Sequence, residues 1–142
     1  ENIPNYIRVI YDRTNEAVAC SEAVAVASGT VTLETALLGI PMVVFYKVSP
    51  LTFFFAKLLV KVKFVSLVNI LSVGEVVVEL IQKNATAEKI FTELKRILTD
   101  DKYRYNMVSK LQKTKEIMGR KTASTHVASM AGKLAGWNST SA

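Results

Sequence analysis

The residues best suited to bind a ligand lie between positions 28 and 34. Ser28-Gly29-Thr30 directly follows the short apolar run 23–27, and Glu34 comes about one helical turn later. At the start of a helix, such a turn presents unpaired N–H groups at the positive end of the helix dipole, and Gly29 lets a phosphate approach the backbone. The Glu34 carboxylate can accept two hydrogen bonds from a vicinal diol such as a ribose. These residue types together predict a nucleoside diphosphate pocket.

The same residues also have a purely structural interpretation. Ser28 or Thr30 can cap the helix through its hydroxyl group, and the helix dipole favours an acid such as Glu34 near its N-terminus. The residues alone leave both interpretations open.

Two buried strands joined by one helix are expected to position this turn. The runs 23–27 and 41–46 are short, apolar and bounded by turn signals, and Gly39 is typical of the end of the intervening helix. Two such strands joined through a helix form a βαβ unit with parallel strands. The predicted fold class is therefore α/β, a Rossmann-like parallel sheet flanked by helices, with a helical C-terminal region.

Other elements follow from periodicity and capping signals. We expect a strand over 6–11, a helix over 14–22, a helix over about 50–62, a strand over 64–69, a short helix over 73–82, and helices beginning at 84–86, at 100–101 and near 123. Asn69 would then stand at the carboxyl end of a third strand, either facing a ligand or capping a turn. Gln82 either reaches a ligand or ends a helix.

The composition and the distribution of charge limit the kinds of protein that this chain can be. The chain has 142 residues, half of them apolar, which suits one domain with a real core. Residues 83–121 carry eleven Lys/Arg and five Asp/Glu, equal to the whole net charge of +6. No motif typical of RNA or DNA binding is recognised among these bases, so a solvated helical face is favoured over a nucleic-acid surface.

The single cysteine and the first residues indicate a cytoplasmic protein. Cys20 cannot form an internal disulfide, and we expect it to be a buried, inert thiol. The start of the chain lacks the basic and apolar regions of a signal peptide. His126 is the only histidine and is expected at the surface, so no metal site is predicted.

The segment 51–63 is the most apolar part of the chain and carries Lys57, Lys61 and Lys63. It is too short and too charged to span a bilayer. A helix of this kind is either buried in the core or lies on a membrane with its lysines at the head groups. Together with Lys47 and Phe54, these lysines form a candidate membrane or anion patch.

The run Ala27-Ser-Gly-Thr-Val-Thr-Leu-Glu34 resembles the ASGTATLE segment of the lipid-A-disaccharide synthases, which are bacterial glycosyltransferases. The resemblance continues in register from about Thr14 to Leu98, through GIPMVV, KVSPLT, AKLLVK, NIL, ELIQ and AT. A match of this length is much more specific than any one of its motifs.

The resemblance implies the C-terminal donor-binding domain of a GT-B glycosyltransferase. Such an enzyme joins UDP-2,3-diacylglucosamine to the lipid acceptor 2,3-diacylglucosamine 1-phosphate and releases UDP, at the cytoplasmic face of the inner membrane. The UDP-sugar is a substrate, and no cofactor or metal is implied. The implied nucleotide-sugar-binding residues are Ser28, Gly29, Thr30, Glu34, Asn69 and Gln82.

The chain also departs from the family pattern. The N-terminal GExSGD segment and a Pro-Gly-Ser-Arg turn are absent, so we expect no catalytic residue here and a missing N-terminal domain as partner. The expected organisation is a partial domain over 1–135, with a βα core over 1–82, a helical region over 84–135 and a disordered tail over 136–142.

Four smaller departures concern individual positions. Val68 and Val78 stand where the family has proline. Val73 occupies the position of a family glycine, and the glycine of this chain follows one residue later. Lys47 replaces an arginine that could bind a phosphate through two hydrogen bonds. The alternative function is a non-catalytic membrane-surface or dimerisation module. The sequence leaves open whether the chain forms a homodimer.

Overall fold

The structure, a computed structural model, describes residues 4–27, 29–49, 64–72 and 74–119. Within these residues the strands form one parallel sheet in the order β1-β2-β3. The strands are β1 (Val24–Ala27), β2 (Met42–Tyr46) and β3 (Val78–Ile81). The helices are α1 (Thr14–Ala19), α2 (Thr30–Leu38), α3 (Leu67–Leu71), α4 (Ala87–Thr99) and α5 (Asp101–Gly119), with a 3₁₀ turn at Gln82–Asn84.

The βαβ unit that the sequence predicts is confirmed. β1 and β2 pair in parallel, from Val24 opposite Met42 onward, and α2 connects them. Gly39 ends α2 in the left-handed conformation, with φ 75°, which glycine adopts without steric cost. β3 pairs in parallel with the other edge of β2. The fold class is therefore α/β and Rossmann-like.

The core lies around the central strand. Met42, Val43 and Val44 of β2 are fully or almost fully buried, as expected for a strand covered on both faces. The helices α4 and α5 add Ile97 and Leu111, which are completely buried. α2 packs against α3 and α5, and α4 packs against β2. The amphipathic periodicity of residues 90–98 is thus confirmed for the buried Ile97, whereas Phe91 and Leu98 are exposed.

Two predicted elements between residues 64 and 82 are wrong. The expected strand over 64–69 is instead a loop followed by α3, and the expected helix over 73–82 contains β3. Ser66 caps α3 by accepting a hydrogen bond from the Asn69 backbone N–H. The residues Val78–Ile81 pair with the free edge of β2, and the β-branched Val78 and Ile81 are typical strand residues.

The N-terminal region also differs from the predictions. Residues 4–13 contain no strand, and the apolar side chains from Tyr6 to Tyr11 are exposed, because the described residues offer them no pairing strand. Cys20 is exposed just after the end of α1, so the expectation of a buried thiol is wrong. The helices predicted near 50–62 and 123–134, His126 and the tail 136–142 lie outside the described residues.

A buried polar contact joins α4 to α5. The Tyr103 hydroxyl donates a hydrogen bond to the carboxylate of Glu93, which is buried. The Arg96 guanidinium stacks 3.8 Å from the centre of the Tyr103 ring. Burial and the Glu93 carboxylate raise the pKa of Tyr103 well above its usual value.

This contact predicts a loss of stability in alkali. The pKa of Tyr103 is higher in the folded state than in the unfolded state. The contribution of this contact to the free energy of unfolding is therefore complete below the unfolded pKa of about 10, and it is lost as the pH rises further. We expect the free energy of unfolding, measured by urea titration at increasing pH, to fall less steeply above about pH 10 in Tyr103→Phe than in wild type. The control is Tyr105→Phe, since Tyr105 is exposed. Equal pH slopes in wild type and Tyr103→Phe would contradict this account.

Candidate functional site

Three of the predicted residues lie just beyond the carboxyl ends of the strands. Gly29 is two residues beyond the end of β1, Lys47 is the first residue after β2, and Gln82 is the first after β3. The three strands are parallel and adjacent, so all three residues lie at the carboxyl edge of the sheet. Ligands of α/β sheets bind at this edge.

The N-terminus of α2 lies at this edge. Gly29 is its N-cap, and no side chain caps the helix from that position. Gly29 and Thr30 are both exposed, and the first N–H groups of an α-helix have no acceptor within the helix. The Thr32 hydroxyl donates to the Gly29 carbonyl at 2.7 Å, which fixes the turn without covering the helix end. An anion can therefore approach this end of α2.

The backbone at Gly29 has a conformation that only glycine adopts readily. Its φ of 154° and ψ of −163° fall in a region that is almost exclusive to glycine. A Cβ atom added here would meet no atom of the described residues within 4 Å, so these residues leave the space in front of the turn open. The requirement for glycine thus comes from the backbone angles and not from crowding by the described residues.

The capping roles expected of this turn need one correction. Thr30 is the first residue of α2 and does not cap it, because the cap position belongs to Gly29. Ser28, the other candidate cap and phosphate contact, lies outside the described residues.

Glu34 on α2 and Lys47 at the carboxyl edge of the sheet carry opposite charges. Glu34 lies in the second turn of α2 and is exposed. It forms no hydrogen bond or ion pair with another described residue, so its carboxylate is available to a ligand. Lys47 directly follows β2 and is also exposed. Their ligand contacts stay predictions.

Asn69 is not part of this exposed surface. Its side chain is completely buried, and its amide group is saturated with hydrogen bonds. Oδ1 accepts from the backbone N–H groups of Val76 and Val77, at 2.8 and 3.0 Å. Nδ2 donates to the Val77 carbonyl and to the Glu79 carboxylate, at 2.9 and 2.8 Å. In this arrangement Asn69 holds the approach to β3 in place, and it does not stand at the end of a strand.

Glu79 is the centre of the same network. One carboxylate oxygen accepts from the Val65 backbone N–H at 2.8 Å. The other accepts from the Ser66 backbone N–H at 3.0 Å, from the Ser66 hydroxyl at 2.6 Å and from the Asn69 amide. An acid on β3 thereby fixes the start of α3. Sequence reasoning quoted Glu79 only as part of the family match, although an acid within an apolar run already indicates a specific partner.

Gln82 binds the loop that follows β2. Its side-chain Oε1 accepts from the Val48 backbone N–H at 2.9 Å, and its Nε2 donates to the Val48 carbonyl at 3.1 Å. Gln82 itself has a φ of 52°, which is uncommon for a residue with a side chain. The prediction that Gln82 contacts a ligand stays untested.

The structure therefore brings together the predicted residues Gly29, Thr30 and Glu34 at the start of α2, and it places Lys47 and Gln82 just beyond the carboxyl ends of β2 and β3. Asn69 lies apart, in the core. The remaining predicted residues of the membrane or anion patch lie outside the described part of the chain: Phe54, Lys57, Lys61 and Lys63.

Comparison with known proteins decides the family. The family model described as lipid-A-disaccharide synthetase matches residues 2–132 of this chain. The chain belongs to the lipid-A-disaccharide synthetase family. Among its relatives is the lipid-A-disaccharide synthase of Coxiella burnetii, 38% identical over 128 residues, which are 90% of this chain and 34% of that protein.

Two further relatives carry the same name. The protein of Geobacter sulfurreducens is 39% identical over 130 residues, covering 92% of this chain and 34% of the relative. That of Trichlorobacter lovleyi is 44% identical over 113 residues, covering 80% and 30%. The chain thus spans about a third of the length of the curated lipid-A-disaccharide synthases that it matches.

Val68 and Val78, which stand where the family pattern has proline, lie near the starts of two elements. Val68 is the second residue of α3, and Val78 is the first residue of β3. Proline is tolerated at both kinds of position, in the first turn of a helix and at the start of a strand. Valine or proline therefore allows the same local structure. Val73 lies outside the described residues.

No helix within the described ranges is both long enough and apolar enough to cross a membrane.

Proposed function

We propose that this chain forms the donor-binding part of a glycosyltransferase of lipid A biosynthesis. The complete enzyme would join UDP-2,3-diacylglucosamine to 2,3-diacylglucosamine 1-phosphate and release UDP. The single observation that carries the proposal is the open N-terminus of α2 at the carboxyl edge of a parallel sheet, in a chain of the lipid-A-disaccharide synthetase family.

The diphosphate of UDP is assigned to the turn at Gly29 and Thr30. Support comes from the exposure of both residues, the open space in front of Gly29 and the positive end of the α2 dipole. Lys47 would add a point charge for the same phosphates, since it is exposed and directly follows β2 at the carboxyl edge of the sheet. A lysine here neutralises charge without the bidentate geometry of arginine.

The ribose of UDP is assigned to Glu34. Its carboxylate is exposed about one turn from the phosphate position and has no partner among the described residues. A carboxylate that accepts from both hydroxyls of a ribose would select a ribonucleotide over a deoxyribonucleotide.

The catalytic groups are assigned to a part of the enzyme outside these residues. The relatives are about three times as long as the matched segment, which leaves room for a preceding domain that completes the active site. The lipid substrates place the proposed enzyme at the cytoplasmic face of the inner membrane. Membrane contact through 51–63 and homodimer formation stay predictions.

Removing the Glu34 carboxylate should weaken UDP binding selectively. We expect Glu34→Ala to lower UDP affinity by about 1.5–3 kcal/mol, the range for hydrogen bonds to a charged group, while leaving pyrophosphate affinity unchanged. Wild type should bind UDP more tightly than 2′-deoxy-UDP, and the variant should lose this preference. Calorimetric titration measures all of these affinities, and stability should hardly change because Glu34 is exposed.

The matched control is Glu22→Ala. Glu22 is also exposed, but it precedes β1 and thus lies near the amino end of that strand. Its replacement should leave UDP affinity unchanged. A Glu34→Ala variant that still distinguishes UDP from its 2′-deoxy form would remove the ribose assignment.

A further inference from the structure

The amide of Gln82 forms a two-point contact that crosses from the end of β3 to the loop after β2. It binds both the N–H and the carbonyl of Val48, at 2.9 and 3.1 Å. Val48 directly follows Lys47, an exposed cation that is the first residue after β2 at the carboxyl edge of the sheet. These two hydrogen bonds hold the backbone of Val48 in one orientation, and they therefore also fix the backbone direction at the neighbouring Lys47.

This contact occurs where the strands themselves no longer hold the loop. The ladder between β2 and β3 ends at Tyr46 and Ile81, so backbone pairing stops one residue before Lys47. Gln82 turns away from the strand direction with a φ of 52°, and its side chain replaces the missing backbone bonds. Unusual backbone angles of this kind persist where the surroundings hold them, often beside a functional site.

We propose that Gln82 is a positioning residue for the phosphate-binding lysine. Its side-chain amide holds the Val48 backbone so that Lys47 stays at the carboxyl edge of the sheet, where the diphosphate of the donor binds. In this role Gln82 acts through Lys47. This inference rests on the proposed function, because it names a further part of the same nucleotide site.

A double-mutant cycle on this chain tests the proposal with UDP and pyrophosphate as probes. Gln82→Met keeps the length of the side chain and removes both hydrogen bonds, and Lys47→Ala removes the cation. We expect each single variant to weaken the binding of both probes about five- to tenfold. The double variant should bind each probe with the same affinity as the single variant that binds it less tightly, because the two losses are not additive. Affinity should also depend less on salt in Gln82→Met, because an unfixed ammonium group contributes less to phosphate binding. The control Gln112→Met alters an exposed glutamine on α5 and should bind as wild type does.

Three outcomes separate this inference from the proposed function. Non-additive loss, together with faster hydrogen exchange of the Val48 N–H in Gln82→Met, supports the inference. Two results would overturn the inference while leaving the nucleotide site intact. One is that Gln82→Met binds the probes as tightly as wild type; the other is that the fold-loss of affinity in the double variant equals the product of the fold-losses in the two single variants. A wild-type chain that binds neither UDP nor pyrophosphate would overturn the proposed function and the inference together.

Discussion

Replacing Gly29 by valine is expected to abolish UDP binding and to lower the free energy of unfolding by about 1–3 kcal/mol. The φ of 154° and ψ of −163° at Gly29 are strained for any residue with a Cβ atom. The valine side chain would also occupy the open space in which the phosphate is placed. Calorimetric titration measures the binding, and urea unfolding measures the stability.

A second glycine separates the effect on binding from the effect on stability. Gly39 also has a positive φ, 75°, and an added Cβ atom would meet no described residue within 4 Å, but Gly39 lies at the opposite end of α2. Gly39→Val should therefore lose a comparable amount of stability and keep its UDP affinity. Gly74→Ala, at a glycine without a positive φ, should change neither. If Gly29→Val binds UDP as wild type does, the phosphates lie elsewhere.

Removing the Glu79 carboxylate is expected to destabilise the fold by about 2–4 kcal/mol, because several polar groups lose their shared acceptor. Glu79→Ala deprives two backbone N–H groups, those of Val65 and Ser66, and two side chains, those of Ser66 and Asn69, of a hydrogen-bond partner. The start of α3 should loosen first, since Ser66 caps that helix. Urea unfolding measures the loss, and hydrogen exchange at Asn69 locates it.

Graded substitutions test whether the carboxylate itself matters. Glu79→Gln keeps one acceptor oxygen but directs an amide N–H at a backbone donor, so its loss should be smaller, about 1–2 kcal/mol. Glu116→Ala removes an exposed acid from α5 and should change stability by less than about 0.5 kcal/mol. Equal stabilities of Glu79→Ala and Glu116→Ala would contradict the central role of Glu79.

The βαβ unit could be predicted because its signals are local. The strands around α2 are short apolar runs, and Gly29 and Gly39 mark the two ends of the helix. Each signal lies within a few residues of the structure that it specifies. The sequence therefore predicted both the parallel sheet and the position of the exposed turn relative to it.

The region 64–82 could not be predicted in the same way. Its apolar runs suit a strand or a buried helix equally well, and the choice depends on distant partners. The start of α3 is fixed by the carboxylate of Glu79, thirteen residues beyond Ser66. β3 forms because the edge of β2 is available to it. Neither partner is visible from local periodicity.

In the candidate site, too, the positions set by local signals could be predicted, whereas the contacts made over long distances in the chain could not. The exposed positions of Gly29, Thr30 and Glu34 follow from the predicted strand, turn and helix. For Asn69 and Gln82 the sequence shows only two amides near an expected sheet edge. In the structure both amides bind backbone groups, those of residues 76–77 and of Val48. An amide suits a ligand and a backbone equally well, so its partner emerges only from the fold.

The central claim is that UDP binds at the N-terminus of α2, and a titration of the 142-residue chain with UDP tests it most directly. Backbone amide signals followed by nuclear magnetic resonance should shift saturably at Gly29, Thr30, Glu34 and Lys47. Signals near the amino ends of the strands, such as that of Glu22, should stay unchanged. Excess pyrophosphate should displace UDP, reversing the shift at Glu34 while Gly29 and Thr30 remain shifted. Absence of saturable shifts at Gly29 and Thr30, or shifts confined to α4 and α5, would contradict the assignment of this turn as the nucleotide site.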